Sequence, residues 1–157
     1  MTIRLAAFAS ILLALPAVAQ EAVSLDQLID NERFQLKRDC STAELRPDFA
    51  MPVDINGDGL DDIQLDFSAV ECDGLPGRFC SNNECRKALY LQTSAGTFTL
   101  LLRTGALNIA FDRPNGQWPS FIVERNGTEC NLTAAETCLL RYEIRNGQAR
   151  QIRNARN

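Results

Sequence analysis

Residues 54 to 67 read DINGDGLDDIQLDF, a polar, glycine-containing stretch that runs directly into alternating apolar and polar residues. The first nine residues contain five acidic or amide side chains and two glycines, a composition typical of a tight turn. In the second half, Ile63, Leu65 and Phe67 alternate with polar residues, which is the period of a strand with one buried face. The stretch therefore predicts a loop followed by a half-buried strand.

The same alternation recurs further along the chain. Leu89 and Leu91 form one apolar set, and Phe98, Leu100 and Leu102 form another. Turn signals separate these segments, namely Ser-Ala-Gly at 94–96 and Asn-Gly at 115, 126 and 146. Asn-Gly suits the positive φ angles of tight hairpin turns. A mainly antiparallel sheet is the expected product.

A helix is predicted before the strands. Ser24 can cap its first turn, and Gln27 three residues later can close a capping box. Leu25 and Leu28 then recur at helical spacing. These signals predict a helix near residues 25 to 35.

The first 19 residues have the composition of a signal peptide. Arg4 provides the positive start, residues 5 to 15 are apolar, and Ala-Val-Ala at 17–19 forms a small-residue cleavage site. The apolar stretch is shorter than the ~18 residues of a membrane-spanning helix, and no later segment approaches that length. We therefore expect residues 20–157 to form a single domain that is periplasmic or secreted, without a transmembrane segment.

Six cysteines follow the leader, and in an oxidising compartment they predict two or three disulfides. They are Cys40, Cys72, Cys80, Cys85, Cys130 and Cys138. Spacing alone leaves the connectivity open, although Cys130 and Cys138 could close one connecting loop. A zinc site is disfavoured, because the chain has no histidine and no CxxC pair. The predicted fold class is α+β, with an N-terminal helix followed by a mainly antiparallel, disulfide-stabilised β-sheet.

Charge and composition argue against two broad functions. The chain has 16 basic and 20 acidic residues, a net charge of −4 that argues against wholesale nucleic-acid binding. The absence of histidine removes the commonest general base, and no serine motif lies near either lysine. We therefore expect no enzymatic activity.

The loop has the oxygen spacing of a calcium site. Asp54, Asn56, Asp58 and Asp62 occupy positions 1, 3, 5 and 9, and the Leu60 carbonyl occupies position 7. The two glycines let the backbone curl so that these oxygens can converge. The twelfth position, where an EF-hand carries a glutamate, is a leucine, and a strand follows the loop. The sequence therefore predicts one structural Ca²⁺ in a loop that is not an EF-hand.

The stretch DINGDGLDDIQL resembles the loop-then-strand calcium motif of FG-GAP and VCBS-type repeats. The resemblance implies that the same four side chains and one carbonyl bind the ion. It covers about a dozen residues in one copy, so it does not imply a β-propeller, which needs several blades. As a whole, the chain is similar to small uncharacterised exported proteins of alphaproteobacteria.

A second interpretation is a protein-binding or inhibitor module in which the loop is a metal-free, Asx-rich turn. Its partner would be an envelope protein. The contact surface would be the cysteine-flanked loop of Arg78, Phe79, Asn82 and Asn83, or Trp118 beside Pro119. Five C-terminal arginines could contact an anionic surface or pair with the protein's own acids; they are Arg141, Arg145, Arg150, Arg153 and Arg156.

Overall fold

The computed structural model describes residues 22–112, 118–133 and 136–155, so the predicted leader lies outside the described residues. Within these ranges the chain forms one α-helix and thirteen strands. In chain order they are β1 (Val23–Ser24), α1 (Leu25–Leu36), β2 (Ala43–Leu45), β3 (Ala50–Val53), β4 (Asp62–Asp66), β5 (Val70–Cys72), β6 (Leu75–Pro76), β7 (Cys80–Ser81), β8 (Glu84–Gln92), β9 (Thr97–Ala106), β10 (Asn108–Asp112), β11 (Ser120–Asn126), β12 (Thr137–Arg145) and β13 (Gln148–Ala155). The α+β class with a mainly antiparallel sheet is confirmed.

Helix α1 begins at the predicted capping box. The Ser24 hydroxyl accepts the Gln27 backbone N–H at 3.3 Å, and the Gln27 side-chain oxygen accepts the Ser24 backbone N–H at 3.0 Å. Both bonds satisfy donors that the first helical turn leaves without partners. The buried face carries Leu28, Glu32 and Leu36, which are spaced one helical turn apart. In the described part of the chain, no helix is long and apolar enough to cross a membrane.

The largest sheet lies at the centre of the fold. Its strands follow the order β1-β9-β8-β4-β3, and β7 also pairs with β8. Every pairing in it is antiparallel. Strand β3 pairs with β4 through the loop at 54–61, so the sequence that predicts a calcium site connects two neighbouring strands of this sheet.

Two smaller antiparallel sheets complete the fold. Strands β10, β11, β12 and β13 pair in chain order as a four-stranded meander. Strands β2, β5 and β6 form a three-stranded sheet. Short connections are sufficient to build the meander, whereas the other two sheets also pair strands that are distant in sequence, namely β1 with β9, β4 with β8 and β2 with β5.

The core has two clusters on opposite faces of the central sheet. One face packs against α1, and the cluster there, the helix-side cluster, includes Leu28, Leu65 and Phe67. The other face packs against the meander, and the cluster there, the meander-side cluster, includes Leu89 and Phe121. Burial of each large apolar side chain contributes about 1.5–3 kcal/mol relative to leaving it in water. The central sheet is therefore covered on both sides.

Strand β8 is buried on both faces, since every residue from 87 to 91 is buried. Ala88 and Tyr90 belong to the helix-side cluster, whereas Leu89 and Leu91 belong to the meander-side cluster. The prediction of a half-buried strand is therefore wrong for this segment. A sheet between two layers needs apolar side chains on both faces, and alternation alone does not reveal the second covering layer.

Two further details depart from the sequence prediction. Phe67 follows β4 in a 3₁₀ turn that spans Phe67–Ala69. In β9, the register with β8 skips Leu101, which forms a β-bulge. The bulge moves Leu102 away from the face of Phe98 and Leu100 to the meander-side cluster. An inserted residue inverts the inside–outside pattern of the positions beyond it.

The Asn-Gly dipeptides differ in structure. Asn146 and Gly147 both have positive φ angles, 52° and 71°, and connect β12 to β13 as predicted. At Asn126 the prediction of a hairpin turn is wrong, because its φ is −60° and it precedes a 3₁₀ turn. Gly127 is needed there for space, since a Cβ atom would collide with the Thr133 carbonyl oxygen. Asn115 lies outside the described residues.

Three disulfides connect all six cysteines. Cys130 pairs with Cys138, as the sequence suggested, across a separation of 8 residues. The other pairs are Cys40–Cys72, with a separation of 32 residues, and Cys80–Cys85, with a separation of 5. Cys40–Cys72 links the end of α1 to β5, and Cys80–Cys85 staples the β7–β8 hairpin. Such cross-links are typical of an oxidising compartment.

Candidate metal centre

The loop between β3 and β4 has the curled backbone that its sequence predicts. Gly57 and Gly59 have φ angles of +79° and +84°, which side-chain-bearing residues adopt only with strain. No atom lies within 4 Å of a Cβ built on either glycine, so the requirement is conformational rather than steric. Ile55 is fully buried in the meander-side cluster and anchors the start of the loop.

Three predicted ligands hold this conformation through their side-chain oxygens. Asp54 accepts the Gly57 N–H at 2.7 Å through Oδ1. Asn56 accepts the Asp58 N–H at 3.0 Å, and Asp58 accepts the Leu60 N–H at 2.9 Å. The Asn56 and Asp58 bonds form successive Asx turns, in which a short polar side chain accepts the backbone N–H two residues on, and the Asp54 bond reaches one residue further.

Asn56 and Asp58 also contact one another. The Asn56 Nδ2 donates to Asp58 Oδ2 at 2.8 Å. The Leu60 carbonyl, the predicted backbone ligand, accepts the Asp62 N–H at 3.1 Å. Asp61, which is not among the predicted ligands, is exposed.

Asp62 is the most constrained residue of the site. It is fully buried, and its two carboxylate oxygens accept the backbone N–H groups of Ile55 at 2.8 Å and Gln92 at 2.7 Å. Burial raises the pKa of the Asp62 carboxyl above its ordinary value, the backbone donors oppose that rise, and the nearby Asp58 carboxylate adds to it. Among the described residues, no lysine or arginine pairs with Asp62.

The five predicted ligands therefore share one loop, and four of them are engaged in hydrogen bonds to its backbone. In the ranges that the structure describes, no three carboxylate, histidine or cysteine side chains stand close enough to form a complete metal centre. The donor set nevertheless has the chemistry of a calcium site, because it contains only carboxylate, amide and carbonyl oxygens. A buried carboxylate beside a second acid also favours a cation nearby.

A second polar cluster, which the sequence analysis missed, lies between α1 and the central sheet. Glu32 is only 4% exposed, accepts the Tyr90 hydroxyl at 2.8 Å and pairs with the Arg103 guanidinium. Arg103 Nη2 also donates to the Tyr90 oxygen at 3.0 Å. Its sequence signal was a carboxylate four residues after Leu28, on the apolar stripe of the helix.

The contacts with Glu32 keep both of its partners, Tyr90 and Arg103, protonated. Burial and the Glu32 charge raise the pKa of Tyr90 to about 12, so its hydroxyl keeps its proton. Burial would lower the pKa of Arg103, but the hydrogen bond and charge of Glu32 outweigh that effect and raise it. The cluster is a neutral hydroxyl and one ion pair.

A third polar contact bridges β4 and β8. The Lys87 ammonium pairs with the Asp66 carboxylate, and both side chains are largely buried. Burial alone would raise the pKa of Asp66, but the hydrogen bond from Lys87 and the Ser68 backbone N–H together lower it. The pair compensates two charges that would be costly to bury singly.

The alternative contact surfaces are only partly available. Phe79 is buried and packs edge-on against Phe67, with ring centroids 5.9 Å apart, so its assignment to a binding surface is wrong. Asn82 and Asn83 form the β7–β8 turn with positive φ angles of 49° and 67°. Trp118 is 53% exposed and lies under the Arg145 guanidinium, whose carbon is 5.6 Å from the ring centroid.

Two of the C-terminal arginines pair with the protein's own acids. Arg141 contacts Asp112 at 3.0 Å, and Arg145 contacts Glu143 at 2.6 Å. Arg150 is exposed. The side chain of Arg153 and the whole of Arg156 lie outside the described residues.

Compared with protein-family models, curated proteins and solved structures, the chain matches none. Its function is therefore inferred from its own residues.

Proposed function

We propose that this chain is an exported, non-enzymatic domain whose loop at 54–62 binds one structural Ca²⁺. The residues that would hold the ion are Asp54, Asn56, Asp58 and Asp62 through their side chains and Leu60 through its carbonyl. The observation that carries the proposal is the fully buried Asp62 carboxylate, which has another acid nearby and no basic partner in the described ranges.

The proposed ion would act on stability alone. When bound, Ca²⁺ would supply the positive charge that offsets the desolvated Asp62 carboxylate and the adjacent acids. Asp62 already ties the loop to β8 through the Gln92 N–H. Ion binding would therefore stabilise the central sheet as well as the loop.

The size of the expected effect follows from the donor set. Without the bidentate glutamate of high-affinity loops, the site belongs in the weak range, with a Kd of about 1 mM. At about 10 mM Ca²⁺ such a site stabilises the folded state by about 1.4 kcal/mol. For a domain of this size, that corresponds to a rise of about 5 °C in the melting temperature.

The test is a thermal melt with 10 mM Ca²⁺, 10 mM Mg²⁺ or chelator alone, on the wild type and two variants. Asp58→Ala removes a proposed ligand, whereas Asp61→Ala removes an adjacent exposed carboxylate outside the donor set. Ca²⁺ should stabilise the wild type and Asp61→Ala, and it should leave Asp58→Ala unchanged. An equal calcium response in both variants, or none in the wild type, would exclude the site.

The metal-free binding module is the second candidate, and one observation favours it. Asp54, Asn56 and Asp58 already satisfy backbone donors of their own loop, so the turn can keep its shape without an ion. If the calcium titration shows no binding while Asp58→Ala still destabilises the fold, the loop is a structural turn. The exposed Trp118 would then be the first position to test against partners captured from envelope extract.

A further inference from the structure

A polar groove runs along α1 over the central sheet, independently of the calcium loop. One part, of about 620 Å³, is lined by Asn31, Glu32, Gln35, Arg38, Arg86 and Arg103, together with Asp39 at the rim. An adjoining part of about 460 Å³ also contains Arg86 and Arg103. The two arginines therefore lie where both parts meet, and each volume is in the range of small-molecule sites.

Arg103 is held in a fixed orientation on this groove. Its guanidinium bonds to Glu32 and Tyr90, and its side chain remains 35% exposed. Glu32 compensates its charge, but a guanidinium has five N–H donors in a fixed fork. The exposed edge can therefore donate to a ligand without breaking the buried ion pair.

Arg86 forms no ion pair with an acidic side chain in the described ranges. Its guanidinium carbon lies 4.9 Å from the Phe79 ring centroid and 5.4 Å from the Phe67 ring centroid. Contacts of this kind cover the face of the guanidinium and orient it. They do not use its N–H donors, which lie in the guanidinium plane.

The two arginines lie on the same face of the central sheet, because Arg103 of β9 pairs with Ala88, which is two residues from Arg86 on β8. The Arg103 guanidinium carbon lies 5.6 Å from the same Phe67 ring that Arg86 contacts. Two positive groups over one buried ring repel each other, and Glu32 balances only one of them. An anion bound in the groove that both arginines line would relieve this repulsion and receive donors from both.

We propose that this groove binds a small ligand through an oxyanion, either a carboxylate or a tetrahedral sulfate- or phosphate-type group. Arg86 binds the anion, and Arg103 donates beside it. Arginine forks match both kinds of oxyanion with paired hydrogen bonds. Arg38, which donates to Gln35 at 3.1 Å, lies at the rim and adds a third positive charge.

Removal of the Asp39 charge should strengthen anion binding, whereas removal of the Arg86 charge should weaken it. Asp39 is exposed at the rim, and its negative charge weakens the attraction for an anion. Arg86→Gln removes the main proposed contact, whereas Asp39→Asn removes the opposing charge without changing side-chain size. Arg46→Gln is the matched control, because Arg46 is exposed, pairs with Asp48 and does not line the groove.

The experiment is isothermal titration calorimetry with sodium sulfate and, separately, sodium succinate, at an ionic strength matched with sodium chloride. We expect millimolar binding to the wild type, at least 10-fold weaker binding to Arg86→Gln, several-fold tighter binding to Asp39→Asn and no change in Arg46→Gln. Binding of sulfate alone, succinate alone or both identifies the oxyanion class. Absence of heat above the chloride control, or wild-type affinity in Arg86→Gln, overturns the proposal.

Folding of the variants is checked by circular dichroism. If Arg86→Gln were unfolded, Arg86→Lys would take its place, since it keeps the charge and loses the planar fork. The expected result is then a 3-fold or greater loss of affinity for either probe. Unchanged affinity in a folded Arg86→Lys contradicts recognition by the fork.

Discussion

Removal of the Glu32 carboxylate should destabilise the fold more than any exposed substitution on α1. Glu32→Ala leaves the buried Tyr90 hydroxyl without an acceptor, which costs about 1–3 kcal/mol. It also leaves Arg103 without its counterion, but that side chain is 35% exposed and retains contact with water, so we assign about 1 kcal/mol to this loss. We expect a total of about 3 kcal/mol, a large part of the 5–15 kcal/mol typical of a domain.

The assay is urea denaturation followed by far-ultraviolet circular dichroism. Glu32→Gln keeps an acceptor for Tyr90, so it should cost less than the alanine variant, about 1–2 kcal/mol. Glu44→Ala, at an exposed position of β2, should change the free energy of unfolding by less than about 0.5 kcal/mol. If the free energy of unfolding of Glu32→Ala differs from that of the wild type by less than about 0.5 kcal/mol, Glu32 does not stabilise the fold through these contacts.

A double-mutant cycle separates the ion pair from the rest of the site. If Glu32 and Arg103 stabilise each other, the Glu32→Ala/Arg103→Ala variant should be less destabilised than the sum of the single variants. The expected coupling is about 1 kcal/mol or more, as for other residues in one hydrogen-bond network. Strict additivity would show that the two side chains act independently.

Two further outcomes follow from the cross-links and from the buried ion pair of β4 and β8. Replacing the Cys40–Cys72 pair by alanine should lower the free energy of unfolding by about 4 kcal/mol, against about 2 kcal/mol for the Cys80–Cys85 pair. The reason is that a cross-link across a longer loop restricts the unfolded chain more. Equal losses in non-reducing urea denaturation would contradict this. The lowered pKa of Asp66 contributes stability that is present above its ordinary value of 3.8 and is lost as the pH falls through the lower folded value. The free energy of unfolding should therefore fall as the pH is lowered below about 4, and it should fall less steeply in Asp66→Asn. An equally steep fall in Asp66→Asn would show that Asp66 is not the cause.

Local signals predicted the local structure well. The capping box at Ser24 and the Asn146-Gly147 turn depend only on residues three or fewer positions apart, and both are present. The loop followed by β4 was predicted for the same reason, since two glycines and alternating apolar residues determine it. The clasp between Cys130 and Cys138 also joins residues that are close in sequence.

Features that depend on distant neighbours were not predictable in this way. The bulge at Leu101 and the burial of β8 on both faces depend on which layers cover the central sheet. Gly127 was interpreted as a turn glycine, although its role is to admit a close backbone approach. Phe79 looked like a surface residue of a disulfide loop, but it packs against Phe67, a neighbour that periodicity does not identify.

The candidate sites divide in the same way. The oxygen spacing of the calcium loop is a property of nine consecutive residues, so the sequence alone could predict it, and calcium binding itself remains a prediction. The arginine groove is assembled from a helix and two strands, with Glu32 and Arg103 71 residues apart. No local pattern joins them, and only the folded chain brings them together.

The position of β8 between two apolar clusters has a consequence for how the molecule comes apart. Its even-numbered residues Ala88 and Tyr90 form part of one wall, and Leu89 and Leu91 form part of the other. Melting of either outer layer would expose one face of this strand to water and weaken its support for the remaining layer. Heat should therefore unfold helix and meander together in one cooperative transition, with equal calorimetric and van't Hoff enthalpies.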